Sequence, residues 1–487
     1  MIRTKKISYL SSLVLIVAST IGAGIFFKNR ELAQMSHGDM LLIIGTWLIA
    51  TIGIVALGMA LIEVTSAQKL KRGMLGWTKM FCPKWFHSAT INYQKYFFLP
   101  VSLFALSLYV TSTFVEAGLK IHHPLFVLLI SFLIFCFFMF INIISLKVAE
   151  MSQWITTLIQ LIPLIILPII SLINTGNVGP DSTILQKNIT PDDGIVGVSK
   201  WIVLVGGMPA IFFAYDGFYT VAELRNDLKA PKKIGKSLMW GLILVTIVYL
   251  FLTIAFNLGS SDGTHNGILG LSSWAKKFFN ICIAVGIMGI INGYAMAAPR
   301  LYQNLIKHQE AKDLMWLHKL IFKNDNSVHK QFISSWIYLF VTTMIFFIIF
   351  GLIGVFIPFG NWAESVYGDG GKLYELADLL LNYSSLLIFV IITTAILGAL
   401  INRKTKRIVV KKVRFFKIYS IIAIFMFYFS LLFVIVSAII NATGFNNANV
   451  GQEIIKLTIF LGVIIIVLIP PLFQSWKKQS IKIKSKH

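Results

Sequence analysis

The chain has 487 residues, of which 57% are hydrophobic and 13% are charged, and its mean hydropathy is +0.79. Soluble domains are about 45–50% apolar and about 25% charged, so this composition excludes an ordinary soluble protein. The net charge of +23 would suit a nucleic-acid-binding protein. The distribution of the basic residues along the chain, described below, has a different explanation.

Twelve apolar runs have the length that a helix needs to cross a bilayer, about 20 residues. We number them spans 1 to 12, and they cover residues 7–27, 40–64, 96–118, 124–146, 150–173, 201–223, 237–258, 278–298, 334–358, 376–400, 418–441 and 454–474. Span 1 is too long for the apolar part of a signal peptide and span 2 follows at once, so we expect an uncleaved helix. These runs predict an all-α integral membrane protein with a single transmembrane domain over residues 1–487.

Two of the spans have sequences that weaken a helix. Span 1 contains Gly22 and Gly24, and each glycine costs about 1 kcal/mol relative to alanine in a helix interior. A glycine pair alone could equally serve close helix packing. Span 6 combines Pro209 with Asp216 and Gly217. An ionised carboxylate inside a membrane costs at least ~2.5 kcal/mol, so Asp216 is predicted to be functional, to cap the half-helix that follows, or both.

The positions of spans 1 and 6 strengthen this interpretation. They begin two successive sets of five spans, which is where inverted-repeat transporters have their interrupted helices. Interrupted backbone at membrane depth is tolerated where it lines a cavity. The sequence therefore predicts a substrate cavity at these two breaks.

Loops on alternate sides of the membrane differ in their basic residues. If the twelve spans alternate in direction, 34 of the 43 Lys and Arg residues fall on one side. The spans were chosen without regard to charge, so the asymmetry is an independent check. By the positive-inside rule, both termini are predicted to be cytoplasmic in a multi-pass protein of the cell membrane.

The basic run from Arg403 to Arg414 falls on this cytoplasmic side, where it can contact anionic lipid headgroups. Nucleic-acid binding is the alternative for this run, and we expect no nucleic-acid partner. The longest loop, at about residues 300–332, is predicted to be cytoplasmic and to carry a short amphipathic helix.

Several motifs carry a resemblance to a known family. They are Ile21-Gly-Ala-Gly-Ile-Phe26, then Phe213-Ala-Tyr-Asp-Gly-Phe-Tyr-Thr-Val-Ala-Glu223 followed by Asp227-Leu-Lys-Ala-Pro231, and more weakly Thr157-Leu-Ile-Gln-Leu-Ile-Pro163 and Gly289-Ile-Ile-Asn-Gly293 running into Ala298-Pro-Arg-Leu-Tyr302. With the spans in register over about residues 5–475, the chain resembles the APC (amino acid–polyamine–organocation) superfamily. It is most similar in motif to L-type and related bacterial amino-acid permeases.

The resemblance implies a leucine-transporter-like fold of twelve transmembrane helices. A five-plus-five inverted repeat would occupy about residues 7–173 and 201–400, with helices 1 and 6 broken. Two extra helices at about 418–474 and a basic cytoplasmic tail at 475–487 would follow. The implied function is secondary transport of amino acids by alternating access, and not enzyme catalysis.

The resemblance also implies a substrate site at the unwound centres of helices 1 and 6. The N–H groups of Ala23, Gly24 and Ile25 would bind the α-carboxylate, because a helix N-terminus carries about +0.5 charge. The ammonium would meet backbone carbonyls, and Phe213 matches the family's aromatic gate, although packing alone would also explain a phenylalanine there. The expected substrate-binding residues are Thr20, Ile21, Gly22, Ala23, Gly24, Ile25, Phe213, Ala214, Tyr215, Asp216 and Gly217. Gly24→Val is expected to abolish uptake without loss of expression.

The chain also departs from the family pattern. Gln160 stands where many members have a lysine in helix 5, whose ammonium can replace a sodium ion and take part in proton coupling. A neutral amide can do neither. The coupling-ion region at Gln160 and Asp216 is therefore left open between a proton and no ion, and we expect no steep dependence on sodium. Asn226-Asp227, Ala230 and Phe218 also differ from the family's residues, which predicts a weaker cytoplasmic gate.

Other functions have less support in the sequence. A transporter of polyamines or other organic cations with the same fold is the first alternative, and an integral-membrane enzyme or a channel is less favoured. The sequence contains no HExxH, GxSxG or Walker-type motif. Its three cysteines, Cys82, Cys136 and Cys282, are far apart, so no metal site or cofactor is predicted. The identity of the amino acid and the oligomeric state stay open.

Overall fold

The structure, a computed structural model, describes residues 20–36, 39–67, 73–177, 204–219, 233–260, 264–323, 327–359, 367–443 and 450–484, together with Tyr9, Leu13, Ile16, Val17 and Lys229. Every regular element among these residues is a helix. The helices are α1 Ala23–Met35, α2 Met40–Ser66, α3 Gly73–Phe81, α4 Lys84–Tyr93, α5 Leu99–Glu116, α6 Pro124–Ile144, α7 Leu146–Ile173, α8 Met208–Ala214, α9 Ile234–Gly259, α10 Ser273–Lys307, α11 Lys312–Phe322, α12 Val328–Phe356, α13 Gly371–Thr405, α14 Phe416–Ala442 and α15 Val450–Lys484.

Nine helical stretches in the described residues are long and apolar enough to cross a membrane. They are Met40–Ser66, Lys84–Glu116, Pro124–Ile144, Lys147–Ile173, Ile234–Gly259, Ser273–Lys307, Val328–Phe356, Gly368–Thr405 and Phe416–Ala442. These stretches correspond to predicted spans 2–5 and 7–11. Span 6 contains a shorter apolar helix, Leu204–Ala214, span 12 lies within α15, and span 1 is described only in part.

Several helices expose rows of large apolar side chains at helical spacing. On α7 the row consists of Trp154, Leu158, Leu161 and Ile165. On α14 it consists of Ile418, Ile421, Phe425, Phe429, Leu432, Val436 and Ile439. Soluble proteins rarely expose apolar patches of this extent. These faces fit lipid, and the chain is a multi-pass membrane protein.

The helices group into two compact units. Unit 1 comprises Met1–Pro83, Ile162–Lys276 and Ser385–Ser437, and unit 2 comprises Lys84–Leu161, Lys277–Ser384 and Ala438–His487. Spans 1, 2, 6 and 7 therefore belong to unit 1, whereas spans 3, 4, 8 and 9 belong to unit 2. Each unit combines helices from the first set of five with their counterparts in the second set.

In unit 1, α2 packs along α9. A Cβ atom added at Gly58 of α2 would lie 2.9 Å from Leu242 Cδ1, so the two helices approach closely at this glycine. Trp47 of α2 is fully buried, and its indole ring contacts Tyr249 of α9 with 5.5 Å between ring centroids. These contacts make the α2–α9 pair the framework on which the interrupted spans of unit 1 rest.

An ion pair between a buried carboxylate and a half-buried arginine joins the C-terminal ends of α2 and α13 in unit 1. Arg403 Nε and Nη2 donate to the two carboxylate oxygens of Glu63 at 2.9 and 2.6 Å, and the Glu63 side chain is 0% exposed. The N–H group of Val413 also donates to Glu63, at 2.8 Å. Glu63 therefore fixes the segment that follows α13. The other basic side chains of this run are exposed, namely Lys404, Lys406, Arg407, Lys411, Lys412 and Arg414.

Unit 2 is held together by aromatic contacts and buried amides. Phe347 of α12 contacts Phe104, Phe132 and Phe135, with ring centroids 5.0 to 5.4 Å apart. Asn292 of α10 donates to the Ala149 carbonyl of α7 at 2.8 Å and accepts from Asn142 of α6 at 2.9 Å. A hydrogen bond inside a membrane protein satisfies groups that lipid cannot. The motif Gly289-Ile-Ile-Asn-Gly293 therefore has a packing role at Asn292.

Two predicted boundaries were wrong because charged and polar side chains interrupt the apolar runs. Span 1 was predicted to end at residue 27, but α1 continues to Met35, and its Lys28 is buried in an ion pair with Glu31. Span 3 was predicted to begin at residue 96, but the helix begins at Lys84 and passes through a π-helical turn at Gln94–Phe98. In the loop at 300–332, the short helix was predicted correctly and is α11.

Candidate functional site

The predicted interruption of span 1 lies at Ile21–Gly22. Thr20 is helical, Ile21 and Gly22 form a bend, and α1 begins at Ala23. The Ile21 N–H group donates to the Val17 carbonyl at 2.8 Å, which closes the first half. The first N–H groups of a helix have no partners within it. Those of α1 are directed to the break.

In span 6, a turn at Tyr215–Gly217 follows helix α8, at the place where the sequence predicts an interruption. Helix α8 ends at Ala214, and the Asp216 N–H group bonds back to the Phe213 carbonyl at 3.1 Å. Gly217 has φ = +96°, in the left-handed region that favours glycine. Glycine is therefore required at this position by the turn that ends the first half of span 6. The second motif beyond Tyr219, from Thr220 to Pro231, lies outside the described residues apart from Lys229.

Tyr249 of α9 connects the two breaks. Its hydroxyl oxygen lies 2.8 Å from the Thr20 carbonyl oxygen and 2.7 Å from the Ala214 carbonyl oxygen. These are the last residues of the first half of span 1 and of α8. A tyrosine hydroxyl has one hydrogen to donate, so it can satisfy only one of the two carbonyls at a time. The other carbonyl can accept from a further donor.

Gly24 lies where α1 crosses α8. A Cβ atom added at Gly24 would lie 2.5 Å from Ala214 Cα and 3.0 Å from Ala214 Cβ. Backbone atoms cannot yield as the end of a flexible side chain can. Gly24 is therefore required by the close approach of the two helices. This reason differs from the one the sequence suggested for Gly24→Val, and that variant would disturb helix packing as well as any substrate contact.

Tyr215 has its side chain inside unit 1. Its hydroxyl donates to Thr246 Oγ1 at 2.8 Å and lies 3.2 Å from Thr51 Oγ1. Its ring contacts the rings of Trp47 and Tyr249, and the residue is fully buried. Tyr215 is an expected substrate-binding residue, but its side chain anchors the turn to α2 and α9.

Asp216 has a side chain that contacts both its own turn and α13. One carboxylate oxygen accepts from the Gly217 N–H group at 2.8 Å, and the other accepts from the Ser385 hydroxyl at 3.3 Å. The residue is half-buried. These contacts connect the turn to α13. The half-helix that Asp216 is predicted to cap would continue beyond Tyr219, outside the described residues.

Phe213, the expected aromatic gate, lies against a cation. The Lys28 ammonium nitrogen of α1 is 5.1 Å from the centroid of the Phe213 ring. Phe213 is half-buried, whereas the neighbouring expected residues Ile21, Ile25 and Ala214 are buried. The Thr20 hydroxyl donates to the Ile16 carbonyl at 2.7 Å. The side chain of Ala23 lies outside the described part of the chain.

Gln160 lies in unit 2, on α7, and packs against α10. It is buried, and a Cβ atom added at Gly286 would lie 2.7 Å from Gln160 Cγ. The small residue on α10 therefore leaves room for the glutamine side chain. The structure brings together the expected residues of spans 1 and 6 in unit 1, and Gln160 is described within unit 2 alone.

A family model described as "Amino acid permease" matches residues 7–469, nearly the whole chain. The chain belongs to the amino acid permease family. This permease is a member of the APC superfamily, an amino-acid transporter and not an enzyme.

Relatives of this permease include both uncharacterized and named proteins. It is 27% identical over 454 residues to an uncharacterized protein of Mycoplasma pneumoniae, covering 83% of this chain and 79% of that protein. It is 27% identical over 267 residues to a second uncharacterized protein of the same organism, covering 50% of this chain and 94% of the relative. It is 29% identical over 139 residues to the serine/threonine exchanger SteT of Bacillus subtilis, covering 26% of this chain and 30% of SteT.

Two residues of this permease's candidate site were missed by sequence reasoning. Tyr249 lies within an apolar span, and its two partners are 229 and 35 residues away along the chain. Lys28 lies just beyond the predicted end of span 1 at residue 27. The signal for Lys28 was present, since Lys28 and Glu31 have the i, i+3 spacing of a helical ion pair.

Proposed function

We propose that this permease is a secondary active transporter that moves amino acids across the cell membrane by alternating access, with the substrate held at the interruptions of spans 1 and 6. The observation that carries the proposal is the Tyr249 hydroxyl, which contacts the terminal carbonyls of both interrupted halves. Two helix breaks joined by one side chain within a membrane protein fit a binding site better than two unrelated packing defects.

The groups at the breaks suit the two charged ends of an amino acid. The α-carboxylate is proposed to bind the first N–H groups of α1, those of Ala23, Gly24 and Ile25, because a helix N-terminus attracts anions. The α-ammonium is proposed to donate to carbonyls at the breaks, those of Thr20, Phe213 and Asp216. Since Tyr249 has one hydrogen for two carbonyls, the ammonium would supply the missing donor at Thr20 or Ala214.

The assignment of the spans to two compact units, each with members of both repeats, supports alternating access. Spans 1, 2, 6 and 7 belong to one compact unit, and spans 3, 4, 8 and 9 belong to the other. A five-plus-five inverted repeat with twelve spans, over about residues 7–400 and two further helices, accounts for this pairing of counterparts. We propose that both termini are cytoplasmic and that anionic lipids contact the exposed basic residues after α13.

A liposome uptake screen tests the proposed function. Purified permease in liposomes is offered each labelled amino acid, beginning with serine and threonine because one relative is named as an exchanger of these two. We expect uptake of at least one amino acid, and we expect the same unlabelled amino acid inside the liposomes to accelerate it. Protein-free liposomes are the control. Uptake of no amino acid above this control would refute the proposal.

The coupling ion is proposed to be a proton or none. Replacing sodium by choline at constant membrane potential should leave uptake nearly unchanged, because spans 1 and 8, residues 7–27 and 278–298, contain no carboxylate for sodium. A tenfold loss of uptake in choline would contradict this expectation. Carbonyls and hydroxyls alone would then form the ion site.

A transporter of polyamines or other organic cations is the second candidate, and Asp216 favours it. We expect Asp216→Asn to keep uptake of neutral amino acids within about threefold, because the amide oxygen can still accept from the Gly217 N–H group. If this variant keeps uptake of neutral amino acids but loses uptake of lysine, arginine or putrescine, Asp216 recognises the charge of the substrate. Loss of pH dependence for every substrate would assign it to proton coupling.

A further inference from the structure

Lys28 is a buried cation one helical turn beyond Gly24 on α1. Gly24 is the point at which α1 meets Ala214 of α8. Residues four apart lie on the same face of a helix, so Lys28 extends the face of α1 that faces α8. Phe213, which precedes Ala214, lies under the Lys28 ammonium group. The lysine thus lies on the element that the proposed site uses and beside the residue expected to be its gate.

Two contacts of the Lys28 ammonium group connect it to Glu31 and to Phe213. Its nitrogen is 2.8 Å from Glu31 Oε2 and 5.1 Å from the centroid of the Phe213 ring. The Lys28 side chain is 0% exposed, whereas the Glu31 side chain is 21% exposed. The Lys28 charge is therefore shielded from solvent beside the Phe213 ring, and it is paired with Glu31, whose side chain is more exposed.

This arrangement can restrict the orientation of the aromatic ring. A charged side chain inside a membrane needs partners, and the ion pair with Glu31 supplies one of them. The face of an aromatic ring attracts a cation, and this attraction is stronger where water is excluded. Phe213 is half-buried, so packing does not enclose its ring on all sides. The contact with Lys28 removes part of the freedom that remains.

We propose that Lys28 is a positioning residue of the transport site, which holds the Phe213 ring over bound substrate while Glu31 holds Lys28. This inference rests on the proposed function and on the expectation, from the family resemblance, that Phe213 is the aromatic gate of the site. In this proposal, the Lys28–Glu31 ion pair sets the position of the Phe213 ring. A purely structural ion pair would act on folding, and a charge filter would act on cationic substrates alone.

The test is a double-mutant cycle between Lys28 and Phe213, read as KM and Vmax in liposomes. The four proteins are the wild type, Lys28→Met, Phe213→Leu and the double variant. We expect Lys28→Met to raise KM about tenfold for neutral and charged amino acids alike, with Vmax within about twofold. In the Phe213→Leu background, the same substitution should change KM by less than about twofold, because the ring it acts on is gone.

Two further variants separate positioning from a general effect. Lys28→Arg should restore KM to within about threefold of the wild type, since a guanidinium also pairs with Glu31 and stacks on a ring. Lys456→Met is the matched control, because Lys456 forms the same i, i+3 pair, with Glu453 at 2.7 Å in α15. We expect Lys456→Met to leave KM unchanged.

The outcomes distinguish this proposal from the one on which it rests. An unchanged KM in Lys28→Met, or an equal rise in both Phe213 backgrounds, would overturn the positioning role. A change confined to lysine and arginine uptake would overturn it in favour of a charge filter. Wild-type liposomes without any amino-acid uptake would refute the proposed function instead. In that case, the melting temperatures of the same four proteins should still show that the effects of Lys28→Met and Phe213→Leu are not additive. Additive changes in melting temperature would show that the two side chains do not interact.

Discussion

The hydroxyl of Tyr249 is the polar group on which the candidate site depends most directly. It supplies one hydrogen to two backbone carbonyls in a region that lipid and packed side chains close to water. An unsatisfied buried carbonyl costs about 1–3 kcal/mol, so the loss of this donor is felt at both breaks. The ring of Tyr249 is held by Trp47 and Tyr215, which fixes the direction of the hydroxyl.

Tyr249→Phe should therefore impair transport more than it impairs folding. We expect KM for the transported amino acid to rise about tenfold, because the two breaks lose their common partner. Tyr302→Phe is the matched control. Its hydroxyl also donates to a backbone carbonyl, that of Lys95 at 2.7 Å, but it does so in unit 2. We expect both variants to lose a similar amount in melting temperature, but only Tyr249→Phe to show a higher KM. Equal KM values in the two variants would contradict the assignment.

The residue composition of the site could be predicted only where the sequence itself carries a local signal. Gly22 and Gly217 weaken a helix, so the sequence predicted the bend before α1 and the turn after α8. Pro209 lies in the first turn of α8, where proline is tolerated, so it does not contribute to that turn. Tyr249 carries no such signal, because its meaning depends on carbonyls that folding brings to it from distant positions. Gly24 was predicted as a site residue, yet its contact with Ala214 explains the glycine through a helix crossing.

At the scale of elements, the crossing of α1 and α8 tolerates no side chain at position 24. Gly24→Ala should lower the melting temperature of the detergent-solubilised protein, because the added Cβ would be 2.5 Å from a backbone atom. The expected loss is about 1–3 kcal/mol of stability. Gly462→Ala in α15 is the control, since a Cβ there meets no atom within 4 Å. Equal melting temperatures in the two variants would show that the crossing can relax.

The ion pair that joins α2 to α13 is a second connection between elements. Glu63→Gln should cost about 2 kcal/mol, because Arg403 and Val413 lose a charged, fully buried acceptor, although the Arg403 side chain is 28% exposed and stays partly hydrated. Asp369→Asn is the comparison, since the Asp369 side chain is 72% exposed and 3.8 Å from Lys372. Exposed pairs contribute about 0–1 kcal/mol. We expect a lower melting temperature for Glu63→Gln alone, and a comparable loss in both would contradict the argument.

Element boundaries were predicted least well where polar side chains are hidden inside the protein. Hydropathy ended span 1 at residue 27 and began span 3 at residue 96, although the helices extend well beyond those points. In both cases a lysine caused the error, since Lys28 and Lys95 are buried. A lysine that is paired or surrounded by aromatic rings does not mark the membrane surface, and its partners cannot be read from a hydropathy window.

At the scale of the whole molecule, the distribution of basic residues predicts which side faces the cytoplasm. Lys120 and Lys412 are both exposed and belong to loops predicted on opposite sides. A membrane-impermeant maleimide added outside the cell should label Lys120→Cys. It should label Lys412→Cys only after the cells have been permeabilised. Burial raises the pKa of the Cys82 thiol to about 12, so this native cysteine is protonated at neutral pH and should react slowly. The reversed pattern would overturn the predicted orientation.

The acceptors that Tyr249 contacts are main-chain oxygens, and a main-chain oxygen is present whatever amino acid the codon specifies. Genetic drift at Thr20 can alter the side chain without removing the oxygen that Tyr249 uses. The donor has no such protection, because loss of the tyrosine hydroxyl needs only one replacement. Saturation mutagenesis should therefore find small residues accepted at position 20 and few residues accepted at position 249. The interaction therefore depends on residue identity at position 249, where the donor is a side chain. It is almost independent of residue identity at position 20, where the acceptor is the main chain.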